Sequence, residues 1–225
     1  METAPSGDEP IRFAGPVVGA HRHICAFFHD EDEESRVLLP FIKEGLERGE
    51  RALHIVDPKL RHQHVRRLEA QGLPIADAER RGQFVLHGWD EIYLAGGCFD
   101  PELMLANMEQ TLTEARQEGF PQTRVICHME WALEDHPGVD RIVEHETRCN
   151  VMWRRLRDPV ICVYDLSRFS GGVVMGVLRA HPMILIGPVL HENPFYSPPE
   201  EYLEELRSRR HARSSRGDQA VSEVP

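Results

Sequence analysis

Six short apolar runs recur along the chain, and most of them end in polar, acidic, histidine or aromatic residues. Stretches with helical spacing separate the runs. This alternation of strands and helices predicts parallel crossovers and a sheet covered on both faces. We therefore predict an α/β fold of three layers, with a mostly parallel central sheet flanked by helices. The predicted strands are residues 24–28, 52–56, 84–86, 125–127, 160–164 and 183–186.

Local signals support several predicted helices. Asp57 and Asp100 are each followed by proline, which suits the cap and the first position of a helix. Pro40 lies within the first helical stretch, so that helix should either begin only one turn before the proline or kink there. The loop 89–99 contains two glycines and is predicted to cover one end of the sheet. The predicted helices are residues 33–48, 59–70, 101–118, 139–157, 173–179 and 200–210.

The composition indicates one domain with two tails. Residues 1–18 are rich in proline, glycine, serine and acidic residues, and predict a flexible N-terminal arm. The domain is assigned to residues 19–197, followed by a C-terminal helix at 198–210 and a disordered tail at 211–225. No apolar run approaches the roughly 20 residues of a membrane span, and no secretory signal is recognisable. We therefore expect a cytoplasmic protein.

The charge and the cysteines narrow the possible partners. The formal net charge is −11 at pH 7, which repels phosphates, so neither a nucleic acid nor a membrane is an expected partner. The five cysteines form an odd set, and three lie within predicted strands, where small apolar side chains pack well. We interpret them as reduced thiols.

The turn after the first strand lacks the features that bind nucleotide phosphates. A phosphate loop would offer glycine amides followed by lysine and a serine or threonine. Residues 28–34 instead read Phe-His-Asp-Glu-Asp-Glu-Glu, with five carboxylates and neither glycine nor lysine. Two like charges about 4 Å apart repel by about 4 kcal/mol at an effective dielectric constant of about 20. Because the dinucleotide fingerprint G-x-G-x-x-G is also missing from the sequence, no cofactor is predicted.

Three motifs, in this order and spacing, resemble the DcmR-like sensory domain, also called the MEDS domain. They are His-Ile-Cys-Ala-Phe-Phe at 23–28, Phe-Ile-Lys-Glu-Gly-Leu-Glu-Arg-Gly-Glu at 41–50 and Val-Tyr-Asp-Leu-Ser-Arg-Phe at 163–169. The resemblance implies a RecA/KaiC-like fold that has lost its phosphate loop. It also implies that the domain senses small organic molecules, such as hydrocarbon derivatives, in prokaryotic signal transduction or transcription regulation. Family members are often joined to a DNA-binding or kinase module, and we predict none within this sequence.

Ligands bind outside the carboxyl ends of the strands in open parallel sheets, so the residues that follow the strands are the site candidates. Three aromatic residues, Phe28, Trp89 and Trp131, are predicted to line an apolar pocket. Arg168 is predicted to pair with Glu130 or Asp165. The complete set of predicted ligand-binding residues is His23, Cys25, Phe28, Asp57, His87, Trp89, Glu130, Trp131, Tyr164, Asp165 and Arg168.

Structural explanations stay open for these residues. His23 is a family-motif position, but it precedes its strand, where a hydrogen bond to the backbone is an alternative. The compact pairings of His23 with Cys25 and of Cys127 with His128 match no zinc-ligand spacing, so no metal is predicted. No serine lies in a nucleophile elbow, and no catalytic residue is predicted.

The leading expectation is therefore a non-catalytic sensory domain. A small organic ligand would bind at the strand ends, and closure of the loop 89–99 would change the surface offered to a signalling partner such as a kinase or regulator. One alternative is an enzyme, either a residual ATPase or another hydrolase. Another is a protein-interaction module that partners a kinase or anti-sigma factor. Assembly into a homo-oligomer is left open.

Overall fold

A seven-stranded sheet forms the centre of the fold. The computed structural model describes residues 10–15 and 17–222, with side chains to residue 212. The strands are β1 (His23–Phe28), β2 (Arg51–Val56), β3 (Phe84–Gly88), β4 (Thr123–His128), β5 (Val160–Asp165), β6 (Met183–Ile186) and β7 (Val189–Glu192). They lie in the order β3-β2-β4-β5-β1-β6-β7, and every neighbouring pair is parallel except β6 and β7. The six predicted strands and the mostly parallel sheet are confirmed.

Helices connect the strands and continue the chain after the sheet. The α-helices of the described residues are α1 (Glu31–Glu47), α2 (Arg61–Ala70), α3 (Ile75–Arg80), α4 (Trp89–Ile92), α5 (Pro101–Gln117), α6 (Ile142–Leu156), α7 (Gly171–Ala180) and α8 (Pro199–Ser222). Short 3-10 helices at Met129–Leu133 and Val139–Arg141 precede α6. Side-chain oxygens of Asp30, Asp100 and Ser170 cap α1, α5 and α7.

Different helices cover the two faces of the sheet, which gives the predicted three layers. Helices α1, α2 and α3 pack on the face that presents Ile24 and Ile126, here called the α1 face. Helices α5, α6 and α7 pack on the face that presents Cys25 and Cys162, here called the α6 face. Because side chains alternate along a strand, neighbouring residues of the central strands belong to different cores. The central strands β1, β2, β4 and β5 are buried on both faces, as their continuous apolar runs predict.

Both ends of the chain depart from the expected tails. Ile11, Phe13 and Val18 are buried in the core of the α1 face, although the sequence predicts a flexible arm there; residues 1–9 and 16 lie outside the described residues. Helix α8 continues past residue 210 to Ser222, and residues 223–225 lie outside the described part. Tyr202 anchors α8, because its buried ring lies 4.1 Å from the Arg179 guanidinium carbon.

Two helix starts also differ from the expectation. Asp57 does not cap α2; its Oδ1 accepts a hydrogen bond from the Lys59 amide at 2.8 Å and closes a turn, so α2 begins only at Arg61. Pro40 lies in the middle of α1 rather than one turn after its start. The exposed position of Pro40 allows water to bond the carbonyl that the proline leaves without a donor.

A buried charge network joins α1 to the sheet. Arg124 of β4 is 1 % exposed and forms ion pairs with Glu50 and Glu44. Its guanidinium carbon lies 4.5 Å from the centroid of the Phe41 ring. Glycine is needed at Gly45, because a Cβ there would lie 2.7 Å from Arg124 Cδ. The network therefore fixes how closely α1 approaches the sheet.

We predict that Arg124→Ala lowers the free energy of unfolding by about 3 kcal/mol, because it removes the buried guanidinium that pairs with Glu50 and leaves that carboxylate with Arg48 as its remaining cation. Urea unfolding followed by tryptophan fluorescence measures the change. Arg36→Ala is the control, since Arg36 is an exposed arginine of α1, the helix that Arg124 contacts. Its effect should stay within about 0.5 kcal/mol. Equal effects of the two substitutions would show that the buried network does not stabilise the fold.

Candidate functional site

A cleft of about 250 Å³ opens at the carboxyl edge of the sheet. It lies over the ends of β1, β2, β4 and β5, where the topology of a parallel sheet places ligand sites. The first turn of α1 and the side of α2 that carries Gln63, His64 and Arg67 form its walls. Its lining residues are Phe28, Asp30, Glu31, Glu34, Val56, Asp57, Leu60, Gln63, His64, Arg67, His128, Glu130, Val163, Asp165 and Arg168. We call this site the carboxyl-edge cleft.

The carboxyl-edge cleft is strongly acidic. Six carboxylates and two arginines line it, so its formal charge is −4 when the histidines are neutral. The Glu34 carboxylate approaches His128, with 3.3 Å between Oε1 and Nε2. Burial raises the pKa of Glu34; His128 opposes this shift and Glu130 adds to it. A cation or a hydrogen-bond donor in the cleft would stabilise these crowded carboxylates.

Three histidines lie together beside the cleft, on the α1 face. His54 Nδ1 and His64 Nε2 are 2.8 Å apart, and the ring of His128 lies 5.8 Å from that of His64. Burial, together with His128, lowers the pKa of His54 to about 3. Burial and the neighbouring histidines hold the pKa of His64 well below its usual value. Both rings are therefore neutral at pH 7.

Five of the predicted site residues line the cleft together: Phe28, Asp57, Glu130, Asp165 and Arg168. Arg168 is exposed, and the described contacts include no ion pair between it and Glu130 or Asp165, so the expected pairing at the rim is not formed. Asp165 instead accepts hydrogen bonds from the Ser167 amide and hydroxyl, at 2.8 and 2.6 Å. This leaves the Arg168 guanidinium available to a ligand.

Trp89 and Trp131 lie elsewhere. Both are buried in the core of the α6 face, whereas Phe28 belongs to the core of the α1 face, so the three aromatic residues do not form one lining. Trp131 stacks on Tyr93 with the ring centroids 4.6 Å apart. His87 likewise points away from the cleft lining and approaches Glu91, at 3.3 Å.

The loop 89–99 is anchored to the α6 face and does not line the cleft. Tyr93, Leu94 and Phe99 are buried, and the Phe99 amide donates to the Pro137 carbonyl at 2.8 Å. A side chain at Gly138, whose φ is +86°, would collide with the Phe99 carbonyl. Closure of this loop over the strand ends, as the sequence suggests, has no support in this packing.

The remaining predicted residues, His23, Cys25 and Tyr164, are buried within the α6 face rather than at the cleft. His23 and Tyr164 contact Glu146 of α6, whose carboxylate is 1 % exposed. Burial would raise the pKa of Glu146, but His181 and His23 outweigh it and hold the pKa well below the usual value. Burial and then His181 lower the pKa of His23. A buried carboxylate is thus surrounded by histidines.

Sequence reasoning missed several residues of the carboxyl-edge cleft and of the buried cluster around Glu146. In the cleft it missed Glu34, His64 and Arg67, because the helix periodicity that identifies core positions does not show which polar residues of α1 and α2 face the strand ends. It also left out His128, although this residue directly follows the predicted strand 125–127. In the interior it missed Glu146 and His181. Glu146 is 123 residues from His23 in the chain, so no local spacing connects them. The alternation of His23 and Cys25 on one strand face was the only available signal.

The fold is a three-layer α/β arrangement with a mostly parallel sheet, and it resembles the fold of a KaiC-like protein of known structure. A KaiC-like protein from the hyperthermophilic archaeon Pyrococcus horikoshii OT3 superimposes with a TM-score of 0.52 at 14 % sequence identity, covering 73 % of this chain and 70 % of that one. The model of the MEDS family, the methanogen/methylotroph, DcmR sensory domain, matches residues 22–182. The chain belongs to the MEDS family, as the sequence motifs predict.

A curated relative has a regulatory function. The chain is 24 % identical over 171 residues to the transcriptional repressor DcmR of Methylorubrum extorquens (strain DSM 6343 / CIP 106787 / DM4). The match covers 75 % of this chain and 61 % of the repressor, so the chain spans less than two thirds of the length of that relative. Together, the family and the relative support a regulatory, sensory role. Within the described residues, no helix is both long enough and apolar enough to cross a membrane.

We predict that stability falls as the pH is lowered through the histidine range. Burial lowers the folded-state pKa of His54 to about 3, whereas an unperturbed histidine has a pKa of about 6.5, so the unfolded chain binds its proton first. The stability contributed by the neutral ring is complete above about pH 6.5 and is lost toward pH 3, at about 1.4 kcal/mol per pH unit.

Urea unfolding at pH 7, 6 and 5 measures this slope. His54→Gln should reduce the slope by about 1.4 kcal/mol per pH unit between pH 6 and 5, whereas His62→Gln, at an exposed position of α2, should leave it unchanged. An identical slope in the wild-type protein and His54→Gln would refute the assignment of a buried neutral ring at position 54.

Proposed function

We propose that this chain is a sensory domain that binds a small polar organic molecule, neutral or cationic, in the carboxyl-edge cleft and does not hydrolyse it. Membership of the MEDS family and the repressor relative support a regulatory role. The polar, acidic lining of the cleft supports the chemical class of the ligand. In this proposal the domain acts within prokaryotic signal transduction or transcription regulation and passes its state to a signalling protein partner.

The observation that carries the proposal is the turn between β1 and α1. In a phosphate loop, the backbone amides of this turn would point at phosphate. Here the His29 amide donates to Glu33 Oε2 at 3.0 Å, and the Glu33 amide donates to Asp30 Oδ1 at 2.7 Å. The turn's own carboxylates therefore occupy donors that a nucleotide would need, and their charge repels its phosphates.

The size and lining of the cleft favour a ligand with few heavy atoms. Its volume of about 250 Å³ is below the roughly 300–1,000 Å³ of pockets that hold drug-sized molecules. Phe28, Val56 and Val163 supply a short apolar floor at the strand ends, and the carboxylates supply acceptors around it. A small amine or a polar hydrocarbon derivative matches this combination of apolar contact and negative charge.

The contacts between α1 and α2 offer a route from the cleft to the surface. Arg67 of α2 forms an ion pair with Glu31 of α1, and both residues line the cleft. A ligand cation that approaches Glu31 would compete with Arg67 and loosen α2 from α1. The exposed side of α2 would then be the surface that a partner recognises, in place of the loop 89–99.

An ammonium probe tests the class of ligand. Tetramethylammonium chloride should raise the melting temperature more than sodium chloride at equal ionic strength, because the cation neutralises the crowded carboxylates. Glu130→Gln should weaken this difference, since Glu130 lines the cleft. Glu134→Gln, an exposed position four residues later, should preserve it. Equal shifts with the two salts would contradict binding of a cation in the cleft.

Native mass spectrometry of the protein, purified gently from the cells that produce it, tests the occupant directly. We expect a small retained mass that is lost in Glu130→Gln and kept in Glu134→Gln. A retained nucleotide would instead favour the residual ATPase, and a protein adduct without a small molecule would favour the interaction module. Either of these results would overturn the proposal of a small polar ligand.

A further inference from the structure

Four side chains with metal-ligating atoms converge inside the α6 face. They are His23 at the start of β1, Glu146 of α6, Cys162 of β5 and His181 between α7 and β6. One ligating atom of each lies within 4.8 Å of all the others, and all four residues are buried. No residue of the cluster lines the carboxyl-edge cleft, so the cluster is a second place of interest in the molecule.

The hydrogen bonds of Asn150 determine which nitrogen of His23 faces the centre of the cluster. The Asn150 amide nitrogen donates to the carbonyls of Glu146, Thr147 and Ala180, at 3.2, 3.2 and 2.6 Å. Its Oδ1 is therefore the atom that lies 3.1 Å from His23 Nδ1. Since Oδ1 only accepts hydrogen bonds, His23 Nδ1 carries a proton. The other nitrogen, Nε2, has a free electron pair in the neutral ring and faces the cluster.

His181 is oriented in the same way. Its Nδ1 lies 2.7 Å from the Val177 carbonyl oxygen, which also only accepts, so Nδ1 carries the proton. Its Nε2 is buried, lies 3.3 Å from Glu146 Oε2 and has no hydrogen-bond partner. Two imidazole electron pairs thus point toward one carboxylate oxygen. This arrangement of neutral rings is repulsive, and either protons on the two Nε2 atoms or a metal ion between them removes the repulsion.

Four of the six distances between the ligating atoms are close to those around a tetrahedral zinc ion, and the other two are within 4.8 Å. Bonds of about 2.0–2.2 Å to nitrogen or oxygen and about 2.3 Å to sulfur place such ligands about 3.3–3.6 Å apart. Glu146 Oε2 lies 3.1 Å from His23 Nε2 and 3.3 Å from His181 Nε2. Cys162 Sγ lies 3.5 Å from His23 Nε2 and 3.7 Å from Glu146 Oε2.

We propose that His23, Glu146, Cys162 and His181 bind one Zn²⁺ ion in a closed, structural site. Two imidazoles, one thiolate and one carboxylate form a ligand set that suits zinc among the divalent metals. Binding releases the Cys162 thiol proton to solvent, so the charges of the thiolate and the Glu146 carboxylate balance those of the ion. Because four protein ligands complete the coordination, the site stabilises the fold and has no open position for catalysis.

The groups around the cluster orient these ligands as partners of metal ligands commonly do. The Nδ1 atoms of both histidines donate to an amide or a backbone carbonyl oxygen, and Tyr164 donates its hydroxyl proton to Glu146 Oε1 at 2.8 Å. Such partners fix ring orientation, and their loss typically weakens metal binding about 10–100-fold. The sequence alone predicts no metal here, because its ligands come from four separate elements.

Metal content and cobalt spectroscopy test the proposal on the full chain. The protein purified without added chelator should contain about one zinc per chain by elemental analysis. After unfolding with chelator and refolding with Co²⁺, it should show a thiolate-to-cobalt charge-transfer band in the near ultraviolet and the intense visible bands of tetrahedral cobalt. Tyr164→Phe should keep the band but bind the metal about 10–100-fold more weakly.

Cys127→Ala is the matched control for Cys162→Ala. Cys127 is a buried thiol on the same face of the neighbouring strand, in direct register with Cys162, but it is not among the four converging residues. Loss of the charge-transfer band is expected in Cys162→Ala alone. Loss of the band in Cys127→Ala, with the band kept in Cys162→Ala, would show that Cys127 supplies the thiolate. This result would overturn the proposed ligand set.

If Cys162→Ala does not fold, measurements on the wild-type protein still test the proposal. Zinc should raise the melting temperature of the refolded wild-type chain, and refolding with chelator should lower it, because a ligand that binds only the folded state stabilises it. A folded wild-type protein without zinc, with no cobalt band and with a melting temperature indifferent to both treatments, would show that protons rather than a metal balance the buried charges.

Discussion

The carboxylates of the β1–α1 turn are the constraint on which the proposed role of the carboxyl-edge cleft depends. Asp30 and Glu33 accept hydrogen bonds from two amides of the turn, which caps α1 and occupies two donors that a phosphate could use. The same choice of residues makes the cleft acidic. In the proposed function, a cleft at the strand ends with this lining would favour cations or neutral polar groups over anions.

The two faces of the sheet carry separate tasks in this account. On the α1 face, the contact between Arg67 and Glu31 would connect a ligand in the cleft to helix α2. On the α6 face, Glu146 joins α6 to β1 and to the end of α7 through His23 and His181. A metal site around Glu146 would hold β1 rigid from the α6 face, while the β1–α1 turn responds to a ligand on the α1 face. The central position of β1, between β5 and β6, lets one strand serve both.

Physical reasons separate what the sequence could predict from what it could not. The six predicted strands were recognisable because a strand covered on both faces is a continuous apolar run, and Asp100 followed by proline indicated the start of α5. Strand β7 was not predicted from the sequence, because only one of its residues is buried. The aromatic pocket was mislocated because a strand-end position alone does not give the face of the sheet on which Phe28, Trp89 or Trp131 packs. The cluster around Glu146 depends on contacts between distant elements, which no local pattern encodes.

Equilibrium dialysis with radiolabelled ATP and Mg²⁺ tests most directly the central claim that the turn has exchanged phosphate binding for an acidic recognition site. We expect no saturable binding at millimolar nucleotide concentrations, with the folded state verified by tryptophan fluorescence. Saturable binding of about one nucleotide per chain, with phosphate release that disappears in Glu130→Gln, would contradict it.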